Sequence, residues 1–411
     1  MVRTLNEFIS EVIGIVEPWS VSSVTLVEGE EIVNVELEYD REKRPDPPHC
    51  ECGGECGYYD MVRKTWRHTD LCEYICNIEG DVPRVRCKSC GKVFRVSAPW
   101  ASDSISRYTH RFEMQLIRLA KEMPISAVSR EMRVDDSAVW TILDRYVQRR
   151  MESHNLEHVH TYYVDEKAMR KGHDYLSTFL DQDHRVIFVG EGNSSEVIHD
   201  FMRYLEAHGG SVDNIQHVSM DMSGGFKKGN AECFPDAKVT FDRFHVVRHM
   251  TDAVNEVRRR EYSDLLRTQE EERKALKGQR FLLLRNHKDL GDSERDGIKS
   301  LMSMFPDLGR TYIQKESLRA TWGMEHKYDA RDFLMRWIKE SIGTGIKELI
   351  RVANTIERHM DGILNWYESR ISNGVMEGFN SVLQAIKGRA RGYRSFERYR
   401  TMIYLRSSGI C

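Results

Sequence analysis

The chain contains 411 residues, with 61 Lys and Arg against 64 Asp and Glu, and its formal net charge is −3. This length suffices for about two to four domains with sizeable cores, and a charge so close to neutral excludes any inference about partners from the total alone. No segment approaches the roughly 18 consecutive apolar residues that cross a bilayer, and the first residues do not resemble a signal peptide, so we expect a cytoplasmic protein without a membrane partner.

The first 40 residues predict a short helix followed by two strands. Thr4 and Glu7 have the spacing of a capping box, which satisfies backbone amides at the start of a helix. In residues 20–40, two strand-like runs flank Gly29, and the second alternates apolar and polar residues as a half-buried strand does. The apolar face of the predicted helix consists of Leu5, Phe8, Ile9, Val12 and Ile13.

Seven of the nine cysteines fall within residues 50–90. Without an export signal, such a cluster favours metal ligands in a reducing compartment over disulfides. Cys87 and Cys90 form a Cys-x-x-Cys pair followed by Gly, which is typical of a zinc knuckle, and Zn²⁺ binds four such ligands. The alternative is a set of buried cysteines without a metal. The predicted zinc ligands are Cys52, Cys87, Cys90 and a fourth residue, for which Cys56 is favoured and Cys50 or His49 are alternatives.

Residues 112–147 predict three helices separated by short turns. The second, "ISAVSREM", and the third, "SAVWTILDRYV", flank the turn "RVDD". Their small and apolar positions fit a helix-turn-helix whose last helix enters the major groove of DNA, although a three-helix bundle of another function can show the same pattern. In a helix-turn-helix, Ser137, Trp140 and Thr141 would lie near the edges of the bases.

Residues 160–245 predict a mixed α/β sheet. Three strand-like runs lie close enough for a meander, a helix follows at "SSEVIHDFMRYLEAHGG", and the later runs "IQHVSMDMS" and "AKVTFDRFHV" are separated by helical segments. We interpret "FDRFHVV", residues 241–247, as a strand. From residue 246 to residue 370 no strand pattern is present, and helically spaced apolar residues among many charges predict an α-helical block.

Two of the predicted strands end in an acid. "YYVDE" reaches Asp165, and "HVSMD" reaches Asp221 before a Ser-Gly-Gly turn. Carboxylates that meet at one edge of a sheet repel each other unless a metal ion or a proton offsets their charge. A third acid, Glu377, lies on a small-residue face of a late helix, which could approach the sheet closely. Glu166 has no such counterpart and is expected to point away. The alternative is that Asp165 and Asp221 are ordinary turn residues and that Glu377 is solvated.

Several strings along the chain together carry a family resemblance. They are "PHCECGGECGYYD", "VPRVRCKSCG", "VDEKAMRKGHDYLS", "VSMDMSGGF", "DAKVTFDRFHVV", "SNGVMEGFNS" and "RARGYRSFERYR". In order and spacing they resemble the ISL-three family of insertion-sequence transposases. The resemblance implies an N-terminal zinc-binding segment, a helix-turn-helix and a DDE catalytic domain of ribonuclease H-like fold with an α-helical insertion. One departure is His49, which stands where the first Cys of a knuckle would fall.

The resemblance also implies a function. Asp165, Asp221 and Glu377 would form the DDE triad, which holds Mg²⁺ or Mn²⁺, cleaves DNA at the terminal inverted repeats of an insertion sequence and transfers the strand to target DNA. A homodimer or higher oligomer on DNA is implied as well. The alternatives are a non-catalytic DNA-binding regulator derived from a transposase and a ribonuclease H-like nuclease or resolvase.

Further residues are secondary candidates. Residues 387–406 hold seven Lys or Arg against one Glu and could meet phosphates, or could form a solvated basic helix. "FDRFHVV" supplies two polar groups near the predicted site, which support the acids or only satisfy local hydrogen bonds. Lys171 and His173 are candidate contacts to a scissile phosphate or, equally, ordinary turn residues. The other candidate DNA contacts are Arg389, Arg391 and Arg394, and the candidate supporting residues are Asp242 and His245.

The predicted organisation has six parts. An N-terminal helix and β-hairpin occupy residues 1–48, the zinc-binding module 49–100 and the helix-turn-helix 104–150. The first part of the catalytic core spans residues 158–249, the α-helical insertion 250–370, and the C-terminal catalytic helix with its basic tail 371–411.

Overall fold

A computed structural model describes residues 4–103, 105–170, 174–265, 269–371, 374–393 and 395–407. The chain divides into two compact units, residues 1–146 and residues 147–411. In the described residues, no helix is both long enough and apolar enough to span a membrane.

The N-terminal unit is built on one five-stranded sheet. Helix α1 (Leu5–Ile13) has the predicted capping box between Thr4 and Glu7. The strands are β1 (Trp19–Leu26), β2 (Ile32–Tyr39), β3 (Cys56–Arg67), β4 (Ile75–Cys87) and β5 (Val93–Arg95). Their order is β1-β2-β4-β3, with β5 paired to β4. Because β2 pairs in parallel with β4, the N-terminal hairpin and the cysteine-bearing hairpin share a sheet and a core.

Three helices follow the sheet, as predicted. They are α2 (His110–Glu122), α3 (Ile125–Met132) and α4 (Asp136–Glu152). Arg133 ends α3 in the left-handed conformation, with φ of 52°, and its guanidinium contacts Asp70 and the carbonyl of Glu73. Val128, Val139 and other apolar side chains are buried, as the helical spacing requires.

The second unit contains a mixed five-stranded sheet. Its strands are β6 (Thr161–Ala168), β7 (Tyr175–Asp181), β8 (Val186–Glu191), β9 (His217–Met220) and β10 (Lys238–Phe241), with α5 (Ser195–Ala207) and α6 (Gly224–Cys233) between them. The order is β10-β9-β6-β7-β8. β6, β7 and β8 form the predicted antiparallel meander, and β9 and β10 run parallel to β6.

The prediction of a strand at residues 241–247 is wrong beyond Phe241. Helix α7 (Arg243–Asp264) begins there, because the Asp242 side chain caps it by accepting the backbone N–H of Phe244. The predicted helical block follows and shares its hydrophobic core with the sheet. Its other helices are α8 (Glu270–Leu276), α9 (Arg280–Leu284), α10 (Asp292–Met304), α11 (Pro306–Arg319), α12 (Lys327–Gly343), α13 (Lys347–Arg358), α14 (Met360–Leu364) and α15 (Trp366–Ser369).

Two C-terminal helices, α16 (Gly374–Arg389) and α17 (Phe396–Ser407), complete the unit. The buried Tyr404 hydroxyl accepts the backbone N–H of Val189 in β8 at 2.9 Å, which ties α17 to the sheet. Tyr399 donates to the carbonyl of Leu383 at 3.0 Å and so ties α17 to α16. These contacts hold α16 in place beside β6, where the candidate acids lie.

Candidate active site

The register of three parallel strands brings three acids together. Tyr163 of β6 is paired with Ser219 of β9, so Asp165 and Asp221, each two residues further on, emerge side by side. Phe241 of β10 is paired with Met220, so Asp242 follows on the other side of Asp221. Neighbouring strands lie about 4.8 Å apart, and the three carboxylates therefore share one edge of the sheet.

Asp165 is held firmly in a buried position, with 7% of its surface exposed. Its Oδ1 accepts the backbone N–H of Glu166 at 2.9 Å, and its Oδ2 accepts the side-chain amide of Asn380 in α16 at 2.6 Å. Burial raises the pKa of the Asp165 carboxyl, and the hydrogen bond from Asn380 partly offsets this effect. A buried carboxylate whose charge is not neutralised destabilises the fold. Such a position is typical of a side chain that binds a cation.

Asp221 lies in a more favourable electrostatic environment. Its Oδ1 accepts the amide of Ser223 at 2.9 Å, just before the N-terminus of α6, and its Oδ2 lies 3.7 Å from Nδ1 of His245. Burial raises its pKa, but hydrogen bonding with His245 and Ser223 outweighs burial, so the pKa lies below its ordinary value. Asp221 is therefore ready to act as an anionic ligand.

His245 bridges two of the three acids. Its Nε2 lies 3.9 Å from Oδ2 of Asp242, opposite its contact with Asp221. Burial lowers the pKa of His245, yet hydrogen bonding with Asp221 and the charges of Asp165 and Asp242 outweigh it and raise the pKa overall. The structure thus brings both candidate supporting residues, Asp242 and His245, to the predicted acids.

These groups line a cleft of about 480 Å³. Asp165, Asp221, His245 and Asn380 lie in its wall, and so does Glu166. The expectation that Glu166 points away is therefore wrong: it is half-buried and its Oε2 accepts the side-chain amide of Asn193 at 2.7 Å. The prediction that the strand ends at Asp165 is wrong: the ladder to β9 stops at Tyr163, but β6 continues beside β7 to Ala168, so both acids lie within the strand.

Glu377 lies on the same helix as Asn380, one turn earlier. It is exposed and lines a neighbouring cleft of about 410 Å³ together with Asp242. Burial raises the pKa of Asp242, and the negative charges of Asp165 and Glu377 raise it further. Asp165 and Glu377 are therefore both close enough to Asp242 to repel its charge. Among the described residues, however, the carboxylates do not gather within 4.8 Å of one another as the cysteines do.

Sequence reasoning missed Asn380. A polar residue on a helix is ordinarily solvated, and only its spacing of three from Glu377 could have placed it on the same face.

The N-terminal unit holds a group of four thiols, those of Cys50, Cys52, Cys87 and Cys90, whose sulfurs all lie within 4.8 Å of one another. Two of the separations, Cys50 to Cys90 and Cys52 to Cys87, are 3.6 Å. Four sulfurs at 2.3 Å from one Zn²⁺ would be about 3.8 Å apart, so the group fits a tetrahedral site. The backbone N–H of Cys90 is the main cause that lowers the pKa of Cys87 to about 6, which favours the thiolate.

Cys56, the favoured fourth zinc ligand, lies outside this group, as does His49. Cys56 is the strand partner of Cys87 in the β3–β4 ladder, and its thiol is directed to the carbonyl of Gly54 at 3.9 Å. Cys50 takes the fourth place because the turn at Gly53 folds the segment back on itself.

The candidate DNA contacts lie in different environments. Ser137 and Thr141 are exposed on the first turns of α4, whereas Trp140 is 9% exposed and contributes to the core, so it no longer counts as a base contact. Arg389 and Arg391 are exposed at the end of α16. Lys171, His173 and Arg394 lie outside the described residues.

Comparisons with known proteins define the class. A transposase family model for the DDE domain of the ISL3 family matches residues 163–403, and the helix-turn-helix domain of transposase family ISL3 matches residues 98–147. The protein is a DNA transposase with a helix-turn-helix DNA-binding region. It belongs to the ISL3, or ISL-three, family, as the sequence resemblance predicts.

Individual relatives span most of the chain. The transposase of insertion sequence element IS1001 from Bordetella parapertussis is 26% identical over 355 residues, covering 85% of this chain and 86% of the relative. The transposase of IS1557 from Mycobacterium tuberculosis is 27% identical over 371 residues, covering 84% of this chain and 82% of the relative. Among solved structures, the Drosophila P element transposase strand transfer complex is similar to this chain with a TM-score of 0.42 and 11% sequence identity. The similar region covers 73% of this chain and 92% of the chain in that complex.

Proposed function

We propose that this transposase cleaves and joins DNA strands at the terminal inverted repeats of an insertion sequence, through a DDE triad of Asp165, Asp221 and Glu377. The observation that carries the proposal is the strand register that sets Asp165 beside Asp221. The separations along the chain, from residue 165 to 221 and from 221 to 377, leave room for the helical block between β10 and α16.

The residues of the site fit hard divalent cations. Carboxylate oxygens from Asp165 and Asp221, with Glu377 from the adjoining cleft, are the ligand type that Mg²⁺ or Mn²⁺ prefers. Two such ions would activate water or a DNA 3′-hydroxyl and stabilise the leaving oxygen in a displacement at phosphorus. Asn380 fixes the orientation of Asp165. His245 contacts both Asp221 and Asp242 and so restricts the rotation of their side chains. No covalent bond between protein and DNA is needed.

The mixed five-stranded sheet, with Asp165 on its central strand and Asp221 directly after the neighbouring parallel strand, supports a ribonuclease H-like catalytic core. In this proposal the core spans residues 158–249 and 371–411, and the helical insertion residues 250–370. The Cys50, Cys52, Cys87 and Cys90 group supports a structural Zn²⁺ in the module of residues 49–100.

Two exposed parts of the chain are proposed to contact DNA. Ser137 and Thr141 lie where the recognition helix of a helix-turn-helix meets the major groove. Arg389 and Arg391, at the end of the helix that carries Glu377, suit backbone phosphates of the transposon end. Target DNA would have to enter the same carboxylate cleft, and pairing of two ends would require at least two copies of the chain.

The Glu377→Gln variant tests the triad. Purified protein is incubated with labelled DNA that carries the inverted repeats flanking its own reading frame, with and without Mg²⁺. We expect the parent protein to cut at the repeat ends only with Mg²⁺, and the variant to bind the same DNA with cleavage reduced by at least about a hundredfold, because a neutral amide is a weak ligand for Mg²⁺. Glu357→Gln, on exposed surface of α13, is the matched control.

The outcomes separate the alternatives. Specific binding without any Mg²⁺-dependent cleavage would identify a regulator, and cleavage without preference for the repeats would identify a nuclease or resolvase. Full cleavage by Glu377→Gln would remove Glu377 from the triad.

A further inference from the structure

The two clefts of the second unit meet at a pair of side chains on the first turns of α7. Phe244 and Arg248 line both the cleft of Asp165 and Asp221 and the cleft of Glu377. The backbone N–H of Phe244 donates to Oδ1 of Asp242 at 3.0 Å, which fixes the position of this residue relative to the acids. Its ring nevertheless remains 50% exposed, next to the ring of His245 at a centroid distance of 5.6 Å.

An exposed phenylalanine beside buried carboxylates has no evident role in folding. Half of its apolar surface stays in contact with water, although the core of this unit lies close by. The other strongly exposed aromatic side chains of the unit, Phe281 and Tyr328, line neither cleft. Phe244 thus presents a flat apolar face at the place where DNA must approach the acids.

The cleft of Glu377 combines this aromatic face with positive charge. Arg243, Arg248 and Arg319 lie in its wall, against the acids Asp242 and Glu377. Arg243 packs over the ring of Trp322 at 5.1 Å, which keeps its guanidinium in place. Arg319 is held by an ion pair, in which its Nε lies 3.8 Å from a Glu316 oxygen.

We propose that Phe244 stacks on a nucleobase displaced from the duplex next to the scissile phosphate, and that the cleft of Glu377 holds this nucleotide. The inference rests on the proposed strand cleavage and names the substrate conformation that the site takes. The cleft volume of about 410 Å³ falls within the range of roughly 300–1,000 Å³ that small-ligand pockets show, which suffices for one nucleotide.

The acids lie deep in the wall of the site. Asp165 and Asp242 are nearly fully buried, so the scissile phosphate has to enter the cleft to reach them. A base unstacked beside that phosphate needs a new stacking partner, and in sites that bind unpaired nucleic acid this partner is an aromatic side chain. Phe244 supplies that face, and Arg248 stands beside it for the flanking phosphate.

The test measures coupling between the ring and a single base. End DNA is made with a partner strand that stops short of the cleavage site, so that the flanking bases are unpaired in every substrate. One flanking nucleotide at a time is replaced by an abasic analogue, and affinity is measured with Ca²⁺ in place of Mg²⁺. At one position we expect the parent protein to lose about tenfold in affinity without the base.

Variants of Phe244 then assign the loss to its ring. Phe244→Ala is expected to bind the complete substrate about tenfold more weakly and to show no further loss at the abasic position, whereas Phe244→Trp retains the difference. A purely structural role would weaken all substrates alike and leave the abasic effect in place. Phe8→Ala, which removes an exposed phenylalanine of α1 in the other unit, is the matched control.

The inference is overturned if the parent protein cuts the repeat ends with Mg²⁺ but Phe244→Ala shows the same abasic effect as the parent. It is also overturned if no flanking position shows a base-dependent affinity. Absence of any cleavage by the parent protein would instead overturn the proposed function, and this inference with it.

Discussion

Replacing Asp221 by Asn is expected to reduce strand cleavage by at least about a thousandfold, since the variant loses a central anionic ligand of the proposed metal site. Asp221 lies between Asp165 and Asp242 in the strand register. Because its pKa lies below the ordinary value, it is the acid of this group that is best suited to bind a metal ion as an anion, and neither neighbour replaces it. DNA affinity should be unchanged or higher, because a negative charge near the phosphates is removed. Cleavage of labelled end DNA and a binding titration measure the two effects.

The control for this variant lies in the same cleft. Asp252→Asn removes the same charge from an exposed side chain that is 4.0 Å from Arg248, and it should leave cleavage within about threefold of the parent because it touches no reacting group. Equal losses in both variants would show that the charge of the cleft, and not the ligand at the strand end, controls the reaction.

Replacing Cys87 by Ser is expected to release zinc and to unfold the N-terminal unit around it. Cys87 is fully buried and its pKa is lowered to about 6, so it is well prepared to bind a metal ion as the thiolate. Structural zinc contributes an apparent 10–16 kcal/mol in small zinc domains, roughly the whole stability of such a unit. Zinc content of the purified protein and the fluorescence of Trp19, Trp66 and Trp100, which pack edge to face, report the loss.

Two further cysteine variants sharpen this test. Cys72→Ser changes an exposed residue outside the cluster and should keep both zinc and the tryptophan signal. Cys56→Ser should keep zinc as well, because Cys50 completes the group of four. If Cys56→Ser loses zinc as fully as Cys87→Ser does, Cys56 is a ligand and the arrangement of the four thiols seen in the structure is wrong.

Much of the second unit could be predicted because its signals are local. The meander, the helix α5 and the helical block follow from hydrophobic periodicity, and the acids that follow two apolar runs, Asp165 and Asp221, predict a shared site once the two strands are taken to be neighbours. The family match confirms the transposase assignment over residues 163–403.

The errors have one physical origin, which is that neighbours in space decide between local alternatives. "FDRFHVV" is apolar enough for a strand, and only the capping hydrogen bond of Asp242 shows that a helix begins there. Asn380 reads as a solvated helical residue until Asp165 is placed beside it. Spacing along the chain favours Cys56 as the fourth ligand, and only the turn at Gly53 brings Cys50 into the group instead.

Manganese binding by the Asp165→Asn variant tests the central claim most directly, because it asks whether the strand-end acids hold a metal ion. Mn²⁺ is titrated by electron paramagnetic resonance into the parent protein and the variant without DNA. Asn keeps one oxygen, which can accept the hydrogen bond from Asn380, whereas the charge and the acceptor for the backbone N–H of Glu166 are lost. We predict Mn²⁺ binding by the parent protein and affinity at least about tenfold weaker in the variant. Equal Mn²⁺ affinity and stoichiometry in both proteins would contradict the metal site.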